Sequence, residues 1–214
     1  MKKYIVIIAL LFSALCVNVF AQTKSYPFEV IKTGKGKQAI LFIPGFASSG
    51  EVWNETKTAF EKDFTCYTLT MAGFAGAKPY PSPSFENWKA GIATYIKTNK
   101  IEKPIVIGHS MGGGLALALA ADYPDLIGKI VVVDALPCLA ALSNVSFKSK
   151  ENNDCSPMVA QMTAMNETQF YEMQKQAMPR LLQDASKLEM VIDWSVNQIE
   201  KPLLKCIAIS LIPI

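Results

Sequence analysis

Pro104-Ile105-Val106-Ile107-Gly108-His109-Ser110-Met111-Gly112-Gly113-Gly114 decides the fold, because it leads from a β-branched apolar run, through a glycine-flanked serine, into the apolar stretch Leu115 to Ala121. That order reads as a strand, a tight turn and a helix. A serine hydroxyl is a poor nucleophile, so the turn has to lift Ser110 clear of the sheet on a strained backbone, with Gly108 and Gly112 leaving the room. The helix beginning there points free N–H groups and the positive end of its dipole at the serine, where negative charge would develop in an acyl transfer. A bare Gly-x-Ser-x-Gly arises by chance in many proteins; the strand before it and the helix after it make this one specific.

Working outward, short apolar runs alternate with amphipathic stretches from Gln38 to Leu203, the pattern of a mostly parallel sheet with helices on both faces. Strands are predicted at Ala39 to Ile43, Thr65 to Thr70, Ile105 to Ile107 and Ile130 to Val133. Ser48 and Glu51 form a capping-box pattern ahead of Trp53, Lys57 and Phe60, and Ser84 caps a helix carrying Phe85, Trp88, Ile92 and Ile96. Both aromatic sets read as core faces. The segment Thr33-Gly34-Lys35-Gly36-Lys37 lacks the spacing of a phosphate loop and reads as a turn. Met71 to Ser84, rich in Gly and Pro, is a loop of the kind that rims active sites. After Asp134 the alternation stops: residues 138–200 read as a helical lid inserted over the sheet and hold six of the nine methionines. Met158, Met162 and Met165 share a helical face, with Phe170, Tyr171 and Met173 soon after; packing on the sheet and a flexible apolar wall for a substrate both account for them.

The chain resembles the α/β-hydrolase superfamily, in particular the group carrying Gly-His-Ser-Met-Gly-Gly, from about Gln38 to Leu203. Leu41-Phe42-Ile43-Pro44-Gly45-Phe46 is similar to the family's strand followed by His-Gly and an apolar residue, with Pro44 in place of the histidine. The resemblance implies an oxyanion hole made by the backbone N–H groups of Phe46 and Met111, and neither depends on a side chain. Met71-Ala72-Gly73-Phe74-Ala75-Gly76 is similar to the family's Asp-x-x-Gly-x-Gly-x-Ser turn, with the acidic position replaced. Val131-Val132-Val133-Asp134 looks like its sixth strand.

The same resemblance requires a histidine base and an acid, which in the family follow the serine after the eighth and seventh strands. The one histidine is His109. Neighbours on a strand-to-turn segment point their side chains in different directions, so His109 is not expected to be the base. Asp134 reads as a strand-end carboxylate or as the acid that some members place after the sixth strand. Asp193 to Leu204 resembles the lead-in to the seventh strand, and residues 201–214 are expected to be the start of a C-terminal core segment in a truncated chain.

Composition bounds the rest. With 214 residues, half of them apolar, the chain supports one core domain. Lys2 and Lys3 before an apolar run, then Val19-Phe20-Ala21, predict a signal peptide over residues 1–21, a mature start at Gln22, no stable membrane anchor after cleavage and an extracytoplasmic (periplasmic or secreted) protein. The core then covers residues 22–137. Without Lys2 and Lys3 the chain has 19 basic and 18 acidic residues and a single arginine, Arg180, which excludes nucleic acid as a partner on electrostatic grounds. Cys66, Cys138, Cys155 and Cys206 are too scattered for a zinc site; a Cys138–Cys155 bridge is open but not indicated. No cofactor or metal is implied. The expected function is hydrolysis of an ester, thioester or similar acyl bond in a small, apolar substrate through an acyl-Ser110 intermediate, with this chain largely inactive. The rival is a non-catalytic binding protein that holds an apolar ligand or partner in the same pocket.

Overall fold

The computed structural model describes residues 25–81, 83–135 and 164–196. The expected leader at 1–21, Cys138, Cys155, Cys206, Met158, Met162 and the segment 201–214 lie outside the described residues. Strands β1 (Phe28–Gly34), β2 (Gln38–Ile43), β3 (Phe64–Met71), β4 (Ile105–His109) and β5 (Lys129–Val133) form one sheet in the order β1-β3-β2-β4-β5. β1 runs antiparallel to β3, and the remaining pairs are parallel. The expected α/β architecture is therefore present, with one antiparallel edge.

β2 shows why the sheet is covered on both sides. Ala39, Leu41 and Ile43 face one apolar cluster while Ile40 and Phe42 face another, as the two-residue period of a strand requires. The first cluster packs helix α2 (Phe85–Thr98), through Trp88, Ile92 and Ile96, and helix α3 (Met111–Asp122), through Leu115 and Leu119. The second takes Trp53 from a short 3₁₀ turn, Gly50–Trp53, that leads into helix α1 (Asn54–Thr58). Lys89 joins α2 to α3, its ammonium 2.7 Å from Glu86 and 2.5 Å from Asp122. Beyond β5, helices α4 (Glu167–Ala177) and α5 (Leu188–Val196) pack on each other, and the Lys187–Glu55 ion pair ties this unit to α1.

Three details differ from the sequence reading. β1 is an additional strand; its edge position leaves it only partly buried, so Glu29 and Lys32 blur the apolar alternation. The helical entry after β2 is capped by Ser49, whose side chain accepts from the Glu51 N–H at 3.1 Å, whereas the Ser48 hydroxyl donates to the Phe46 carbonyl at 3.2 Å. Helix α3 begins at Met111, not Leu115, because its three glycines are the first turn and not a loop. The Ser84 cap is as read: its side chain accepts from the Asn87 N–H at 3.0 Å.

Candidate active site

Ser110 joins β4 to α3 at φ 51° and ψ −119°, a backbone region that L residues rarely occupy. Its conformation is held from both sides. The Ser110 N–H donates to the Val133 carbonyl of β5 at 3.0 Å, and its own carbonyl accepts from Gly113 at 2.9 Å and Gly114 at 3.1 Å. Two glycines make the turn sterically feasible. A Cβ at Gly108 would stand 2.0 Å from the Gly112 carbonyl oxygen, and one at Gly112 would stand 2.3 Å from that of Ile43 and 2.6 Å from that of Pro44. The first turn of α3 therefore rests directly on the backbone leaving β2.

This contact brings the two expected oxyanion donors, Phe46 and Met111, into neighbouring segments. Ala47, at φ 54°, turns the chain after Phe46. Among the described residues no acceptor takes the N–H of Phe46 or that of Met111. For Met111 the reason is its place in the first turn of a helix, where N–H groups have no intrahelical acceptor. Two backbone donors without an acceptor among the described residues thus lie on the segments that meet at the serine, and the helix N-terminus there favours negative charge.

His109 departs from simple strand alternation. A Cβ on Gly45 would meet His109 Nδ1 at 3.0 Å and Ser110 Cβ at 3.4 Å, so both side chains flank the same glycine. The positive φ of Ser110 turns its Cα–Cβ bond out of the strand's up-and-down order. Even so, no hydrogen bond joins His109 to Ser110 among the described residues. Asp134, one residue past Val133, is exposed at φ 46° and makes no side-chain hydrogen bond among the described residues. Met165, Phe170, Tyr171 and Met173 are half-buried in the helical unit. Among the described residues no group of His, Cys, Asp or Glu is placed to hold a metal ion.

Two supports escaped the sequence reading. The Phe46 ring meets the Phe74 ring edge to face, centroids 5.0 Å apart. The Gly45 contact with His109 is the other. Both join residues far apart in sequence; the glycine-rich pattern around Phe74 was the one available signal.

The chain belongs to the alpha/beta hydrolase fold family, whose sequence model matches residues 38–185. Among curated proteins it is similar to the pimeloyl-[acyl-carrier protein] methyl ester esterase of Vibrio atlanticus (strain LGP32), at 25% identity over 164 residues, 75% of this chain and 62% of that protein. It is also similar to the serine hydrolase BPHL of Homo sapiens, at 33% identity over 107 residues, 47% of this chain and 37% of that protein. The chain thus spans less than two thirds of the length of these relatives. Among solved structures, the enol-lactonase from Burkholderia xenovorans LB400 superposes with a TM-score of 0.68 at 18% identity, covering 87% of this chain and 71% of the other. At that identity the likeness is one of fold.

Proposed function

We propose that Ser110 is the acyl-accepting nucleophile of a hydrolase acting on an ester or similar acyl bond in a small, apolar substrate. The observation that carries this reading is the strained, doubly anchored Ser110 backbone, where two segments meet whose N–H donors have no acceptor among the described residues. In the first step the Ser110 oxygen bonds to the acyl carbon and its proton passes to a base; the tetrahedral oxyanion rests against the N–H groups of Phe46 and Met111. Its collapse expels the alcohol, which takes up a proton. Water then attacks the acyl-serine, releasing the acid and returning the hydroxyl. The esterase and serine hydrolase names of the relatives support the same class of bond.

The base is the weak point of this chain. Its one histidine, His109, makes no hydrogen bond to Ser110 among the described residues, so turnover by these 214 residues is expected to be slow. That same observation favours the second reading, an apolar-ligand binder that keeps the elbow without the chemistry. A serine-directed fluorophosphonate distinguishes them. We expect slow covalent labelling of the intact chain that disappears in Ser110→Ala; losing a triad member still leaves roughly 10³–10⁴-fold catalysis over water in such sites. Labelling that persists in Ser110→Ala, or none after prolonged exposure, rejects the hydrolase reading. Export rests on Lys2, Lys3 and Val19-Phe20-Ala21, and N-terminal sequencing of exported protein is expected to begin at Gln22.

A further inference from the structure

We propose that Phe74 is a positioning residue: by bearing on the Phe46 ring it fixes the direction of the Phe46 N–H, the first of the two oxyanion donors. The proposal rests on the hydrolase reading of the site and goes beyond it by naming what holds the donor.

The Phe46 backbone has few restraints of its own. The peptide unit that carries its N–H is held at the other end by one long hydrogen bond, from the Ser48 N–H to the Gly45 carbonyl at 3.4 Å, while the N–H itself has no acceptor among the described residues; the Phe46 carbonyl accepts from the Ser48 hydroxyl at 3.2 Å. The next residue, Ala47, stands at positive φ as a central residue of this Gly45-to-Ser48 turn. A single bond of 3.4 Å resists tilting of the plane only weakly, and the Phe46 ring supplies a second anchor. That ring meets Phe74 with centroids 5.0 Å apart and planes at 75°, the edge-to-face geometry that aromatic pairs favour because a ring's positive edge meets the other's negative face.

Phe74 itself does not move easily. Its N–H donates to the Met71 carbonyl at 3.0 Å, its carbonyl accepts from Ala77 at 2.8 Å, and Gly73 donates to the Ala77 carbonyl at 3.2 Å, so residues 71–77 close on themselves. Gly73 and Gly76 supply the positive φ that such a tight closure needs. The closed turn is tied outward where Ala72 donates to the Pro27 carbonyl at 3.1 Å. The Phe74 ring, wholly buried, also meets the Trp88 ring of α2, centroids 5.3 Å apart. Helix α2 thus backs Phe74, and Phe74 backs Phe46. Residues 71–77, part of the loop read as a rim, act as a buttress as well.

The test uses the full chain and three variants, measuring the rate (kinact) and affinity (KI) of fluorophosphonate labelling at Ser110 together with hydrogen exchange of the segment containing Phe46. A donor displaced by about 1 Å loses on the order of 10²-fold in rate, similar to removing an oxyanion donor outright. We therefore expect Phe74→Ala to lower kinact by about 10²-fold and Phe74→Leu, which keeps bulk but no ring edge, by a smaller factor, with KI unchanged in both. Exchange of the Phe46 segment should quicken in step. Ile40→Ala, nearly fully buried in the other apolar cluster, which does not include Phe46, controls for lost stability and should leave kinact unchanged. If Phe74→Leu labels as fast as the parent, or Ile40→Ala slows it equally, the positioning role is wrong. If the parent never labels, the hydrolase reading fails while the exchange measurement still decides: unchanged protection around Phe46 in Phe74→Leu overturns the inference.

Discussion

Replacing Gly112 by alanine would put a methyl carbon 2.3 Å from the Ile43 carbonyl oxygen and 2.8 Å from the carbonyl carbon, both backbone atoms of a strand end buried in the sheet. Neither can rotate aside, so relief requires α3 and the end of β2 to separate by about 1 Å, an overpacking that costs typically 1–3 kcal/mol. Two residues on, an alanine at Gly114 would touch only the Phe85 ring, at 3.7 and 3.8 Å, which is ordinary contact. There the alanine gains about 0.8–1.0 kcal/mol of helix propensity over glycine. The propensity gain is common to both glycines and cancels between them, so Gly112→Ala should be the less stable of the two by about 1–3 kcal/mol, the cost of the clash. Urea denaturation followed by circular dichroism measures it directly. Because the displaced backbone also carries Phe46 and Met111, Gly112→Ala should slow Ser110 labelling by about 10²-fold. If Gly112→Ala is as stable as Gly114→Ala, or Gly114→Ala is the worse of the two, the close approach of α3 to β2 is wrong.

Two further outcomes follow from the same contacts. Ser84→Ala removes the cap that accepts the Asn87 N–H and should destabilise the chain by about 1 kcal/mol, whereas Ser84→Asp should restore most of it; equal loss in both would mean that the hydroxyl serves another purpose. Stability should also fall on the alkaline side. Burial pushes the Cys66 thiol and the Tyr95 phenol up, and for Lys89 the bonds to Asp122 and Glu86 outweigh the downward pull of burial and hold its ammonium above the usual range. Each group keeps its proton in the folded state at a pH where the unfolded chain has begun to lose it, so the contribution is intact below about pH 8.5 and declines above it. A urea midpoint that stays constant from neutral pH to about pH 10 would contradict this.

Most of the sheet and the two long covering helices were legible because β2 to β5 carry short apolar runs, α2 a repeating apolar face and α3 the apolar stretch from Leu115 to Ala121. β1 was not, since an antiparallel edge strand with Glu29 and Lys32 needs little apolar patterning to pair with β3. The start of α3 was hidden by the propensities of Gly112, Gly113 and Gly114, which favour loops; tertiary contact with Ile43 and Pro44 overrides them. Ser48 and Ser49 are the same residue type in adjacent positions, and only the path of the chain decides which hydroxyl faces the helix and which faces Phe46. For the site, Ser110 could be read from its flanking glycines, because steric need leaves a local mark. The contact of Phe46 with Phe74 leaves none: two aromatic rings far apart in sequence become neighbours only when β2 and β3 lie side by side.

Ser110 offers the sharpest separation between folding and chemistry. At φ 51° and ψ −119° its Cβ crowds the adjacent peptide, a strain of about 1–3 kcal/mol for a residue other than glycine. That conformation persists because the surroundings over-determine it: Val133 takes the N–H, Gly113 and Gly114 share the carbonyl, and the backbone packs so closely at Gly108 and Gly112 that no side chain fits there. Glycine at position 110 would adopt the same backbone without strain, offset by about 0.5–1 kcal/mol for its greater freedom in the unfolded chain. Ser110→Gly should therefore be more stable than Ser110→Ala by about 1 kcal/mol, and at least equal to the parent, while both lose covalent labelling. A residue under strain only for packing reasons would show the reverse, because its side chain would be needed. If Ser110→Gly proves less stable than Ser110→Ala, the strain assigned to the elbow is absent, and with it the physical argument that singled out this serine.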